Sequence, residues 1–134
     1  MSIINNGNML KRLSISVCLT GAILLMPGCS EEVKVYADPA GTVEVNTNKE
    51  FIVTLEANPT TGYFWQASYD KGILKLVDKT YKQNNTRTPT VGVGGIDTFR
   101  FQALKAGSTE IQFAYKRPWE SEIGKQVTFK VMVK

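Results

Sequence analysis

Histidine is absent from all 134 residues. Its absence excludes Ser–His and Cys–His nucleophile pairs and every His-ligated metal centre. Cysteine is nearly absent too, with two in the chain. Cys18 lies inside an apolar N-terminal run that reads as a cleaved leader, which leaves Cys29 without a partner. The folded part therefore has no disulfide and must stand on its apolar core. Carboxylates are few and spread singly. Glu31-Glu32 and the pair Glu120 and Glu122 are the only clusters, and Asp38, Asp70, Asp78 and Asp97 read mostly as solvent-face residues on strands. No basic stripe suggests nucleic acid, and no run of like charge suggests a tail. A repeat and a long amphipathic helix are also missing. These absences argue against an enzyme, a metal, a cofactor and a small-molecule substrate.

The leader is present. Lys11 and Arg12 form a positive n-region, and Leu13 to Met26 is apolar or small apart from Ser14, Ser16 and Thr20. That length suits a signal h-region and is short for a membrane span. A start at Met9 gives a tidier leader than Met1. The leader ends Leu25-Met26-Pro27-Gly28-Cys29-Ser30. A small residue followed directly by Cys resembles the lipobox of bacterial lipoproteins. The resemblance implies lipidation at Cys29 and export to the cell envelope, anchored rather than spanning. Ser30 after the Cys does not argue for retention in the inner membrane of a Gram-negative cell. Ordinary signal cleavage nearby, giving a secreted protein, is the alternative. Residues 1–28 are read as the signal peptide, 29–32 as a tether and 33–134 as one domain. Without Lys11 and Arg12 the chain is close to neutral.

The domain alternates at period two almost throughout. Val33, Val35 and Ala37 oppose Lys34 and Tyr36, and Val43 and Val45 flank Glu44. Phe51, Val53, Leu55 and Ala57 share one face, as do Trp65 and Ala67. Phe99, Phe101 and Ala103 alternate, then Ile111, Phe113 and Tyr115, then Val127, Phe129, Val131 and Val133. The run from Ile73 to Tyr81 has mixed periodicity. Turn residues separate these stretches, as at Asp38-Pro39-Ala40-Gly41 and Lys105-Ala106-Gly107-Ser108. Seven to eight short strands at near-regular spacing predict an all-β, antiparallel β-sandwich whose core is these Phe and Val residues.

Three stretches between the strands are unusual. Asn58-Pro59-Thr60-Thr61-Gly62-Tyr63-Phe64-Trp65 ends the run from Glu50 to Ala57. Asn-Pro disfavours both helix and continued pairing, the threonines are stiff at χ1, and Gly62 can take φ > 0. Taken alone it reads as a turn, since these residues dominate turns. Val91-Gly92-Val93-Gly94-Gly95 concentrates glycine before a strand. A phosphate loop would need a helix after it, so the choice lies between flexible filler and bare backbone that approaches another surface. Arg117-Pro118-Trp119-Glu120 puts a Trp on a Pro-stiffened loop, either as an interface anchor or folded back over the sandwich. Asn84-Asn85-Thr86 fits a glycosylation pattern that means little in a bacterial lipoprotein.

In this order and spacing, Asn-Pro-Thr-Thr-Gly-Tyr-x-Trp, Gly-x-Gly-Gly and Arg-Pro-Trp resemble the chagasin family of cysteine-peptidase inhibitors. The likeness spans roughly Val33 to Lys134. It implies an immunoglobulin-like sandwich that inhibits papain-like peptidases reversibly and tightly; the chain is expected to be a monomer. It also implies three loops side by side at one end, entering the peptidase cleft together. Asn58, Pro59, Thr60, Thr61, Gly62 and Tyr63 would sit over the catalytic thiol, with Thr60 and Thr61 nearest it. Gly92, Val93, Gly94 and Gly95 would pack on the non-primed side. Trp119 would stack on the primed side, with Pro118 stiffening the loop and Arg117 making polar contacts. On this reading, Trp119→Ala and Gly95→Val each weaken inhibition without lowering the melting temperature. A surface-anchored immunoglobulin-like adhesion or ligand-binding module is the competing reading, since fold alone does not fix function.

Overall fold

The computed structural model describes residue 28, residues 30–87 and residues 92–134. The expected signal peptide up to residue 27, Cys18 within it, and the expected lipidation site Cys29 lie outside the described residues. The compact body runs Glu31–Lys134.

The eight strands are β1 (Lys34–Tyr36), β2 (Thr42–Val45), β3 (Glu50–Ala57), β4 (Phe64–Ser68), β5 (Leu74–Gln83), β6 (Gly95–Ala103), β7 (Gly107–Lys116) and β8 (Ile123–Val133). One sheet has the order β1-β3-β6-β5 and the other β2-β8-β7-β4. Among the described residues the only helical turn is a 3-10 turn at Pro59–Thr61, and no helix is long and apolar enough to cross a membrane.

Two pairings depart from the antiparallel expectation. β1 lies parallel to β3, and β2 lies parallel to β8. The segment 37–41 carries the chain from the edge of one sheet to the edge of the other, so each short strand meets a neighbour running the same way. An Asx-type turn supports the crossing, with the Ala40 N–H donating to Asp38 Oδ1 at 2.9 Å.

The alternating residues form the core. Phe51, Phe99, Phe101, Phe113 and Phe129 are fully buried. Phe113 sits at their centre, with edge-on contacts at 4.9 Å to Phe99, 6.4 Å to Phe101 and 5.7 Å to Phe129. It thereby joins both sheets through the geometry aromatic pairs prefer.

Two expectations are corrected, at Val35 and Asp97, and a third, the mixed periodicity of β5, finds its cause. In β1, Tyr36 packs against the core while Val35 is exposed. Tyr36 meets Phe51 edge-on at 6.4 Å, a contact that Val35 on the other face cannot make. In β5, a register shift between Leu76 and Asp78 leaves Val77 as the extra residue of a bulge. That is the physical origin of the mixed periodicity there. In β6, Asp97 points inward and is buried rather than facing solvent.

Candidate functional site

Strand pairing alone gathers the three unusual stretches at one end. Ala57, the last residue of β3, pairs with Gly95, the first of β6. The Asn58 turn and the Gly92–Gly94 segment therefore emerge side by side. Phe64, the first residue of β4, pairs with Lys116, the last of β7. The Arg117–Glu120 loop thus emerges beside the other side of the same turn.

The turn is held closed by its own groups. Pro59 opens the 3-10 turn where its missing N–H costs nothing. Gly62 closes it at φ +81, a left-handed conformation, and its N–H donates to the Pro59 carbonyl at 3.0 Å. Thr60 Oγ1 donates to Asn58 Oδ1 at 2.5 Å, and Thr61 Oγ1 donates to the Asn58 carbonyl at 2.7 Å. Both hydroxyl protons are thus engaged inside the turn. Among the described residues neither hydroxyl is bonded to a side-chain base, and the chain has no histidine to serve as one.

Asn58 also ties the turn to its neighbours. Its side-chain amide donates to the Gly92 carbonyl at 3.1 Å, and its backbone N–H donates to Tyr115 Oη at 2.8 Å. The third loop is tied by Arg117, whose Nε donates to the Thr61 carbonyl at 3.1 Å. The same guanidinium pairs with Glu120 at 3.1 Å and lies over the Tyr63 ring, 4.6 Å from its centre. Pro118 is exposed at the loop's tip. Trp119 is 71% exposed, yet the edge of its indole rests on Gly62, where a Cβ would fall 2.8 Å from Cη2.

Beneath the rim lies an aromatic stack. Tyr115 packs against Trp65 at 4.7 Å and against Tyr63 at 5.3 Å. Trp65 Nε1 donates to the Glu56 carbonyl at 2.8 Å. Tyr63 passes so close to Gly124 that a Cβ there would lie 2.9 Å from the ring. Sequence periodicity assigned Tyr115 to the core and left Tyr63 on the turn, but the two rings act together as the floor of the site. The signal for Tyr115 was a hydroxyl at the end of an Ile-Phe-Tyr alternation, since a half-buried Tyr O–H requires a partner.

The glycines divide by cause. Gly92 is exposed with φ +87 and open space around it. A Cβ on Gly94 would sit 3.3 Å from the Ala57 carbonyl. Gly95 is buried in β6, and a Cβ there would collide with the Lys82 carbonyl at 2.3 Å and the Tyr81 ring at 2.7 Å. The bare backbone of Gly94 and Gly95 thus serves close approach within this chain. Gly92 is the exposed part of the segment, Val93 and Gly94 are half-buried, and Gly95 is buried.

Below Gly95, Asp97 faces Lys79, with Oδ2 3.8 Å from Nζ. Lys79 also donates to the Trp65 carbonyl at 2.9 Å, bridging the two sheets, and lies 5.0 Å over the Phe99 ring. Burial pushes the Asp97 carboxyl up, and the Lys79 charge only partly opposes it. No group of three or more Cys, Asp or Glu among the described residues is placed to hold a metal.

The family model of the chagasin family peptidase inhibitor I42 matches residues 44–133, from β2 to the end of β8. Amoebiasin-2 of Entamoeba histolytica is 30% identical over 95 residues, covering 69% of this chain and 77% of the relative. The crystal structure of the cysteine protease inhibitor EhICP2, from Entamoeba histolytica, aligns with a TM-score of 0.64 at 26% identity, over 77% of this chain and 98% of that one. Leishmania mexicana ICP aligns with a TM-score of 0.51 at 30% identity, over 70% and 90% of the two chains.

Proposed function

This chain belongs to the chagasin family of peptidase inhibitors, and on that premise we propose that it inhibits papain-like cysteine peptidases reversibly, using the three-stretch rim as one rigid wedge. It acts as an inhibitor and not as an enzyme. The observation that carries the reading is the bracing of the rim. Asn58 bonds to Gly92, Arg117 bonds to Thr61, and Trp119 leans on Gly62 while keeping most of its surface free.

A peptidase cleaves an extended chain whose carbonyl is presented to the nucleophile in near-attack geometry. The Asn58–Gly62 turn is folded into a 3-10 turn and offers no such bond. It sits over the catalytic thiol and occupies the groove without being cut. Gly92 and Val93 lie on the non-primed side, and Trp119 stacks on the primed side. Arg117 is engaged within the chain, so its role is to hold the third loop against the first. Loops already ordered before docking lose less entropy on binding, which favours a slow off-rate. An interface of this kind buries about 800 Å² on each partner. The protein works as a monomer, carried to the cell envelope by its leader and held there by lipid on Cys29. A mass spectrum of the mature N-terminus reads the last point directly.

The inhibition is tested by titrating the mature domain into papain-like peptidases with a fluorogenic substrate. Stoichiometric loss of activity that returns on dilution is expected. Full activity of every such peptidase at micromolar inhibitor overturns the proposal. A ligand-binding module of the same fold would need no cross-braced rim, and the family assignment favours inhibition over that reading.

A further inference from the structure

An apolar step lies just outside the rim. Phe64 pairs with Lys116, and Lys116 pairs with Ile123 across a register shift that follows the Tyr115–Lys125 pair, so the three occupy one row across the second sheet. Trp65 and Tyr115, one position along their strands, face the interior stack. Alternation therefore turns Phe64 and Lys116 to the outer face. Phe64 is 41% exposed and Ile123 48%. The other large exposed apolar residues away from this end, including Val35, Leu104 and Met132, stand on separate strands and loops, as single apolar residues on surfaces commonly do. Here two flank one lysine, and the Trp119 loop rises from the same row, with Lys116 and Ile123 as its two feet.

We propose that Phe64, Lys116 and Ile123 form a second contact with the inhibited peptidase, outside its catalytic groove, against an apolar ledge that carries a carboxylate. The proposal rests on the inhibitory reading of the rim. The occupant follows from position, because a peptidase held by Trp119 brings its own surface over the row beneath. A second copy of this chain is the weaker fit. Three side chains cannot supply the roughly 800 Å² per partner of a stable interface, but they can extend one already formed. The step also gives the inhibitor a means of choosing among peptidases. The groove is common to enzymes with the same chemistry, whereas the surface beside it is free to differ.

The test measures inhibition and dissociation constants of the wild type, Phe64→Ser, Ile123→Ser, the double variant and Lys116→Glu against several papain-like peptidases. The double variant is expected to raise Ki about tenfold or more on the peptidase with the best-matched ledge, chiefly through faster dissociation. The loss should be smaller on others, so that selectivity flattens. Lys116→Glu reverses the charge, keeps Phe64 and Ile123 in place and serves if a serine variant fails to fold. It should slow association, most at low salt. Unchanged Ki for all variants on every peptidase the wild type inhibits overturns the second contact and leaves the rim intact. A wild type that inhibits none overturns both. A wild-type dimer in sedimentation that Phe64→Ser dissociates gives the row to a second copy and also overturns the proposal.

Discussion

Trp119 rests on Gly62 but is mostly exposed, so Trp119→Ala removes little packing. It should weaken inhibition by about 2 kcal/mol or more, near thirtyfold in Ki, with an unchanged melting temperature. Gly95→Val has a different outcome. Its side chain would collide with backbone of β5, so a loss of roughly 1–3 kcal/mol of stability is expected in denaturant melts. Asp97 adds a pH dependence. Its native carboxyl keeps the proton to a higher pH than the ordinary value of 3.8. The contribution is thus fully present below 3.8 and lost as pH rises through the native value. The stability of the wild type relative to Asp97→Asn should fall across that window and then stay level to neutrality. Urea melts of both proteins at several pH values check the sign.

At the scale of elements, the rim is assembled by strand ends and kept by a few bonds between loops. Arg117 is the bond that loop 117–120 cannot replace, since Pro118 has no N–H and Trp119 touches the turn only by its ring edge. Arg117→Gln should therefore raise Ki while leaving the core melt unchanged. It should also lower hydrogen-exchange protection at Thr61 and Gly62, which the loss of a peptidase contact alone would not do. β5 illustrates how far element reading can go. Its existence was legible, but its bulge appeared in the sequence only as broken alternation, because a bulge is defined by the partner strand it fails to match.

At the scale of the whole molecule, the chain's entry and the rim lie at opposite ends of the sandwich. β1 runs parallel to β3, with Lys34 beside Phe51. The chain therefore enters at the end remote from Ala57 and the rim. Coupling the mature domain to vesicles through Cys29 should leave Ki for a soluble peptidase unchanged, and coupling a Cys29→Ser, Ser121→Cys variant through position 121 should abolish inhibition. Equal loss in both arrangements would show that the ends are not separated in this way.

The sequence by itself determined the sandwich, its strands and the three unusual stretches, because period-two burial and turn chemistry are local properties written in consecutive residues. It could not say that Tyr36 rather than Val35 turns inward, that Asp97 is buried opposite Lys79, or that Tyr115 supports the Asn58 turn. Those facts depend on which strand ends meet. Only the tertiary structure decided them, since a side chain's surroundings are set by neighbours dozens of positions away, and alternation reports a face without saying what stands across from it.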